Sequence, residues 1–360
     1  MDYQDFREQF TQDVISKLAA NDMENLELLV QPVEKMNESY EAMTVTPEGS
    51  NIGVNLNLER FYEAYESGTD YDEVVDRAVD AIENGVNQIP DINVELLQDY
   101  DQMKDKLVME VVSAETNAEL LDKVPHHELE DMVIVYRFVL DNDEDGRATI
   151  LVTNNLLDNY GVTAEQLHAD AMLNAPKIKP AVIQGMKEVI SEMMGDDFAM
   201  LGVEVSPADE VMFVASVPDK IQGASVIAYQ DFMDQAAQKL GGDFFILPSS
   251  IHEVLLVKDD GNSNARDLKN MVEEVNATQV SPEEKLTDNV YHYDSKEHIF
   301  ELAESFEARQ MEKDIFTSDK LEGKDSVLKE LKDKQNVIQS KASGKDIPGK
   351  MVKVKGGEAI

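Results

Sequence analysis

The 360-residue chain contains no cysteine and no tryptophan. The missing thiols exclude disulfides, thiolate zinc sites, iron–sulfur clusters and cysteine nucleophiles together. Aromatic residues make up only 6%, so aliphatic side chains and 17 methionines must fill the core. Positive charge is scarce as well. Thirty-two Lys and Arg face 73 Asp and Glu, a formal net charge of −41. Such a surface repels phosphate backbones and anionic lipid heads, so direct nucleic-acid binding is not expected. It favours solubility and rapid encounter with basic partners. No run approaches the roughly 20 apolar residues of a membrane span. The first residues, MDYQDFREQFTQDVISKLAA, lack the basic start and apolar centre of a signal peptide. The expectation is a soluble cytoplasmic protein that does not engage membranes.

What is present is a well-patterned globular body. The length allows one large or two ordinary domains. Phe6, Phe10, Val14, Ile15 and Leu18 recur at helical spacing and predict a first helix with all five on one face. LELLVQPVEKM reads as a strand whose Pro32 demands an edge or a bulge. NIGVNLNLERFYEAYESG passes from strand alternation into a short helix that stops at Gly68, and YDEVVDRAVDAIENG reads as a helix ending at Gly85. DKLVMEVVS is a strand, and MVIVYRFVL and RATILVTN flank DNDEDG as a hairpin. VTAEQLHADAMLNA and PAVIQGMKEVISEMMG predict two helices, the first with Thr163 and Gln166 as a capping box and the second opening at Pro180. VMFVASV is a strand, SVIAYQDFMDQAAQKLGG one helix, NARDLKNMVEEVNA another, and NVYHYD a final short strand. No regular strand–helix–strand series appears, so the fold class is α+β, mainly antiparallel sheet regions covered by helices.

Three segments follow: an N-terminal α+β region over 1–125, a second α+β region over 126–310 packed with the first, and a tail over 311–360. The tail holds 11 Lys against 9 acidic residues, leaving 21 basic and 64 acidic residues upstream. It is expected to form a lysine-rich helix followed by disorder.

No cofactor or metal site is expected. Asp141, Asp143, Asp145 and Gly146 imitate the start of a calcium loop, but the twelfth position is Val152 and RATILV reads as a strand. GKDIPGK is followed by Met351 where a phosphate loop needs Ser or Thr. His126 and His127 lack the four-residue spacing of a zinc hydrolase helix, and His168 suits a packing or surface role.

The best candidate chemistry is GGDFFILPSSIHEVLLVKDD, two apolar runs around Pro-Ser-Ser. If Ser250 begins the second strand, Ser250 and His252 share a face but stand about 6–7 Å apart. A nucleophile–base hydrogen bond needs about 2.6–3.2 Å. The pair is therefore a poor dyad alone, and no G-x-S-x-G elbow exists elsewhere. A turn is the leading reading, with Ser249, Ser250 and His252 as candidate binding residues. Ser250, His252 and Glu253, with Asp288 as another carboxylate, remain the weak catalytic candidates.

VTNNLLDNYGVTAEQLHADAMLNAP, GDFFILPSSIHEVLLV and DLKNMVEEVNATQVSPEEKLTDNVYHYD, with the amino-terminal ISKLAANDMENLELLVQPVEKMNESYEAMTV and LERFYEAY, together resemble domain-of-unknown-function family 5688. That is a bacterial family frequent in gut Firmicutes and their mobile elements. The resemblance covers about residues 1–300. Where members tend to read Lys-Asn-Asn-Gly, this chain has Lys35-Met36-Asn37-Glu38. The resemblance implies one recurring architecture, with residues 248–253 and Asn276 as features of it and no known activity, and Asn276 joins Ser249, Ser250 and His252 as a candidate binding residue. The functional expectation is a non-enzymatic protein-binding or regulatory module with a protein partner of basic character. A hydrolase at Ser250 and His252 and an acidic DNA mimic are the alternatives.

Overall fold

The structure is a computed structural model that describes residues 1–21, 23, 25–50, 52–89, 96–143, 146–195 and 210–313. Met1–Glu304 form one compact unit. A second unit begins at Ser305, of which residues 305–313 are described and helical. The remaining tail, including GKDIPGK, lies outside the described residues, as do the side chains of 141–147 at the DNDEDG tip. All described strand pairs are antiparallel and lie in three sheets, with helices packed among them, which is an α+β fold.

The first sheet has the order β1-β2-β3: β1 (Leu26–Lys35), β2 (Glu38–Pro47) and β3 (Val54–Asn57). Pro32 lies on the edge strand, in register with Glu41 and without a bulge. Helices α1 (Tyr3–Ala20), α2 (Leu58–Glu66) and α3 (Tyr71–Asn87) complete this part. Asp2 caps α1 by accepting from the Asp5 N–H at 2.9 Å. Phe6, Phe10, Val14 and Leu18 are buried with Met43, Val45, Val74 and Ile82. Ile15 departs from expectation at 44% exposed. It stands one residue, about 100° around the helix, from the stripe that Val14 continues. Gly85 does not end α3, which runs on to Asn87. A Cβ there would lie 2.7 Å from Val54 Cγ2, so the glycine serves close approach of helix and strand.

The second sheet has β6 (Met132–Asp143) at its centre, paired with β4 (Leu107–Ser113), β5 (His127–Leu129) and β7 (Gly146–Leu151). Before it run α4 (Tyr100–Met103) and, after β4, α5 (Ala118–Leu121). The β6–β7 hairpin matches the expectation. Every residue of β4 is buried. After β7 come α6 (Asn154–Tyr160) and α7 (Ala164–Ile178), whose cap Thr163 accepts from the Gln166 N–H at 3.2 Å. His168 on α7 stacks on the His127 ring at 4.3 Å, and its Nδ1 lies 2.8 Å from the Tyr136 hydroxyl.

The third sheet has the order β13-β12-β10-β11-β9-β8. Its first strand corrects the sequence reading. Val182–Gly185 is a strand, β8, and α8 starts only at Met186 and ends at Met194. The β-branched Val182 and Ile183 pair with Ser216 and Ala215 of β9 (Met212–Ser216), and this pairing outweighs helix signals at Pro180. The single helix expected over 225–242 is also divided. Gly223–Ala228 form a buried 3-10 turn, Tyr229 is extended, and α9 spans Phe232–Leu240 with Gly241 left-handed at its end. The Tyr229 hydroxyl donates to the Lys179 carbonyl at 2.8 Å, tying the break to the preceding segment. Then follow β10 (Phe244–Leu247), β11 (Val254–Lys258), α10 (Ala265–Thr278) and β12 (Tyr291–Asp294). NVYHYD is not the last strand, because β13 (Ile299–Leu302) pairs with β12.

The buried tyrosines make the fold sensitive to alkali. Burial pushes the Tyr229 phenol up to about 12. Burial raises Tyr136, and burial with the adjacent Asp131 carboxylate raises Tyr291, well above the ordinary range. In the unfolded chain these phenols lose their protons near pH 10. Above that pH the unfolded state binds fewer protons than the folded state, so stability falls as pH rises. The part of the tyrosinate absorbance that belongs to these three should therefore appear only together with the loss of circular dichroism, in one cooperative step above about pH 10. Ionisation of all the tyrosines with the dichroism unchanged would contradict the burial of these three.

Candidate functional site

Six residues join β10 to β11, and they lie in a turn that precedes the strand. Ser250 is not the first residue of the second strand, which starts at Val254. Its one ladder contact is an isolated bridge to Lys285. Ser250 Oγ accepts from the backbone N–H of His252 at 3.0 Å. The His252 ring is engaged elsewhere. Its Nδ1 accepts from the Gln222 N–H at 3.4 Å, and its Nε2 lies 3.3 Å from Glu284 Oε1. An accepting Nδ1 places the ring proton on Nε2, where it donates to the carboxylate. The carboxylate beside His252 is thus Glu284, neither Glu253 nor Asp288. Glu253 is exposed.

The backbone of the turn is equally occupied. Ala224 N–H donates to the Ile251 carbonyl at 3.1 Å, and Ser216 Oγ to the His252 carbonyl at 2.7 Å. Ile251 N–H donates to Glu284 O at 2.9 Å, and Leu286 N–H to Ser249 O at 3.0 Å. Gly223 lies so close that a Cβ would overlap Ser216 Oγ and the His252 carbonyl oxygen. Residues 248–253 are therefore the joint at which the 216–224 and 281–286 segments meet.

Asn276, on α10, is 7% exposed. Its Nδ2 donates to the Thr287 carbonyl at 2.9 Å and to Asp288 Oδ1 at 2.8 Å. Asp288 also takes the Lys285 ammonium at 2.6 Å, and these partners hold its carboxyl below the usual range despite burial. From the turn between β5 and β6, Asp131 accepts from Thr287 Oγ1 at 2.8 Å, Asn289 Nδ2 at 3.0 Å and the Tyr291 hydroxyl. Asn276 and Asp288 thus fasten the 284–291 segment and do not join His252 in a catalytic constellation.

The open space lies beside a turn at the other end of the same segment. Met36 and Asn37 connect β1 to β2, with Asn37 left-handed at φ 61°. Asn37 N–H donates to Asn117 Oδ1 at 2.7 Å, and Asn117 Nδ2 returns a bond to Asn37 Oδ1 at 2.5 Å. Asn37 Nδ2 donates to the Glu283 carbonyl at 2.8 Å. Two cavities flank this turn and share Lys35 and Glu38. One, of about 490 Å³, is lined by residues 34, 35, 37–39 and 115–120. It carries Glu34, Glu38, Glu115 and Glu119 against Lys35 alone. Glu34 is paired with Lys123 and Glu38 with Arg60, whereas Glu115 and Glu119 have no ion-pair partner among the described residues. The other, of about 370 Å³, has Lys35, Arg60 and Arg77 against Glu38 alone. Neither cavity is lined by residues 248–253. Sequence reasoning missed Asn117 and Glu115, which stand about 80 residues from the turn they face. Among the described residues no group of three or more His, Asp or Glu is placed to hold a metal ion.

The model of a family of unknown function, DUF5688, matches residues 3–295. No curated protein and no solved structure matches the chain. No helix among the described residues is long and apolar enough to cross a membrane.

Proposed function

We propose that this chain, which belongs to the DUF5688 family of unknown function, is a binding module that receives a basic protein segment in the 490 Å³ cleft beside the β1–β2 turn. The observation that carries this reading is the cleft's lining: four glutamates against one lysine, two of the glutamates without an ion-pair partner among the described residues. Asn37, Ser39, Thr116 and Asn117 add hydrogen-bonding groups to its walls. A Lys or Arg side chain entering there gains charge-assisted hydrogen bonds. The acidic body around it steers a basic partner towards contact.

The arrangement around His252 supports binding over hydrolysis. Ser250 Oγ is used by the turn's own backbone, and both His252 ring nitrogens have other partners. The test is capture from native lysate with the full chain and with the Glu115→Gln/Glu119→Gln variant. Basic proteins should be retained by the wild type, released by moderate salt, and lost with the variant. Equal retention by both chains sinks the cleft assignment. Labelling of Ser250 by a serine-reactive phosphonate would favour the hydrolase instead.

A further inference from the structure

The second cavity has the opposite character. It gathers three of the chain's few cations around an apolar floor of Tyr40, Leu56, Phe61, Ala64 and Val74. Tyr40 and Leu56 are each 6% exposed, and Val74 is fully buried. The lining charge is positive by two in a chain whose formal charge is −41.

The cations are not exhausted by their neighbours. Arg60 uses only Nη2, which meets Glu38 at 3.1 Å and Glu283 at 2.9 Å. Its Nε and Nη1 donors have no partner among the described residues. Lys35 has no carboxylate partner among the described residues, and its ammonium stands 5.2 Å from the centre of the Tyr40 ring. Among the described residues Arg77 meets only Glu73, one turn back on its own helix, at 2.5 Å. Free guanidinium donors match the two oxygens of a carboxylate or the face of a phosphate. A volume of about 370 Å³ lies within the range of small-molecule sites.

We propose that this cavity binds a small organic anion: a carboxylate or phosphate held by Arg60 and Lys35, on an apolar body of about one ring seated against Tyr40 and Phe61. The negative body does not forbid it. Exposed charges more than about 8 Å away are screened at physiological ionic strength, whereas the cations act at contact. The proposal goes beyond the protein-binding reading and stands whether or not a partner occupies the neighbouring cleft.

The test is a saturation-transfer NMR titration of the full chain with benzoate, phenyl phosphate and the neutral isostere benzamide. At least one anion should bind saturably, and the tighter of the two identifies the preferred head group. Benzamide should bind at least about tenfold more weakly, the loss expected for charge-assisted hydrogen bonds. Arg60→Gln and Lys35→Gln, at exposed positions and shown folded by circular dichroism, should each weaken the anion about tenfold. Equal binding of benzamide, unchanged affinity in both variants, or no binding of either anion overturns the proposal.

Discussion

Gly223→Ala should lower the unfolding free energy by about 3 kcal/mol, the upper part of the usual range for overpacking. The added methyl would overlap Ser216 Oγ and the His252 carbonyl oxygen. Both belong to one hydrogen bond of 2.7 Å, so neither can yield without breaking it. Gly223 is also followed by Ala224, whose N–H holds the Ile251 carbonyl. Displacing one chain therefore loosens both fastenings of the turn. Gly161→Ala provides the contrast. Gly161 ends α6 at φ 65° with open space around its Cβ position, so only backbone strain opposes the change, about 1 kcal/mol. Urea midpoints of the two variants measure the difference. If Gly223→Ala is no less stable than Gly161→Ala, the close approach at residues 216, 223 and 252 is wrong.

Asp131→Ala is the second large effect, again about 3 kcal/mol. The carboxylate accepts from Thr287, Asn289 and Tyr291, and removing it orphans three donors. Each orphaned buried group costs about 1–3 kcal/mol, less where water reaches it. Tyr291 is fully buried. Burial and the carboxylate beside it hold its phenol protonated, so it remains the donor across the neutral range. A double-mutant cycle isolates the bond: in a Tyr291→Phe background the Asp131→Ala change should cost markedly less. Hydrogen exchange should locate the damage. Amides of 284–291 should exchange faster in Asp131→Ala, while those of β1 and β2 keep their protection. Uniform loss across all three sheets would show that Asp131 supports the whole fold instead of this segment.

Elements whose signal is local were legible in the chain. The Phe6, Phe10, Val14 and Leu18 stripe, the β6–β7 hairpin and the Thr163 cap each depend on residues within a turn or two. The misreadings come where distant pairing decides. Val182 and Ile183 become a strand because β9, over 25 residues later, offers an edge. Gly85 carries a stop signal, yet its use is contact with Val54. The same division runs through the site. Ser250 and His252 drew notice because they are close in sequence. Ser250 Oγ does meet the His252 N–H, but the other partners of His252, Ser216, Gln222 and Glu284, are about 30 residues away on either side. The β1–β2 turn stood out by its Lys35-Met36-Asn37-Glu38 composition, but its partners Asn117 and Glu283 belong to remote loops.

We propose that two turns divide two roles: residues 248–253 hold the structure, and the β1–β2 turn carries recognition. Capture from one lysate by three folded chains tests it most directly. Wild type and His252→Gln should retain the same basic proteins, and Glu115→Gln/Glu119→Gln should lose them. Loss with His252→Gln and retention by the glutamate variant would contradict the account.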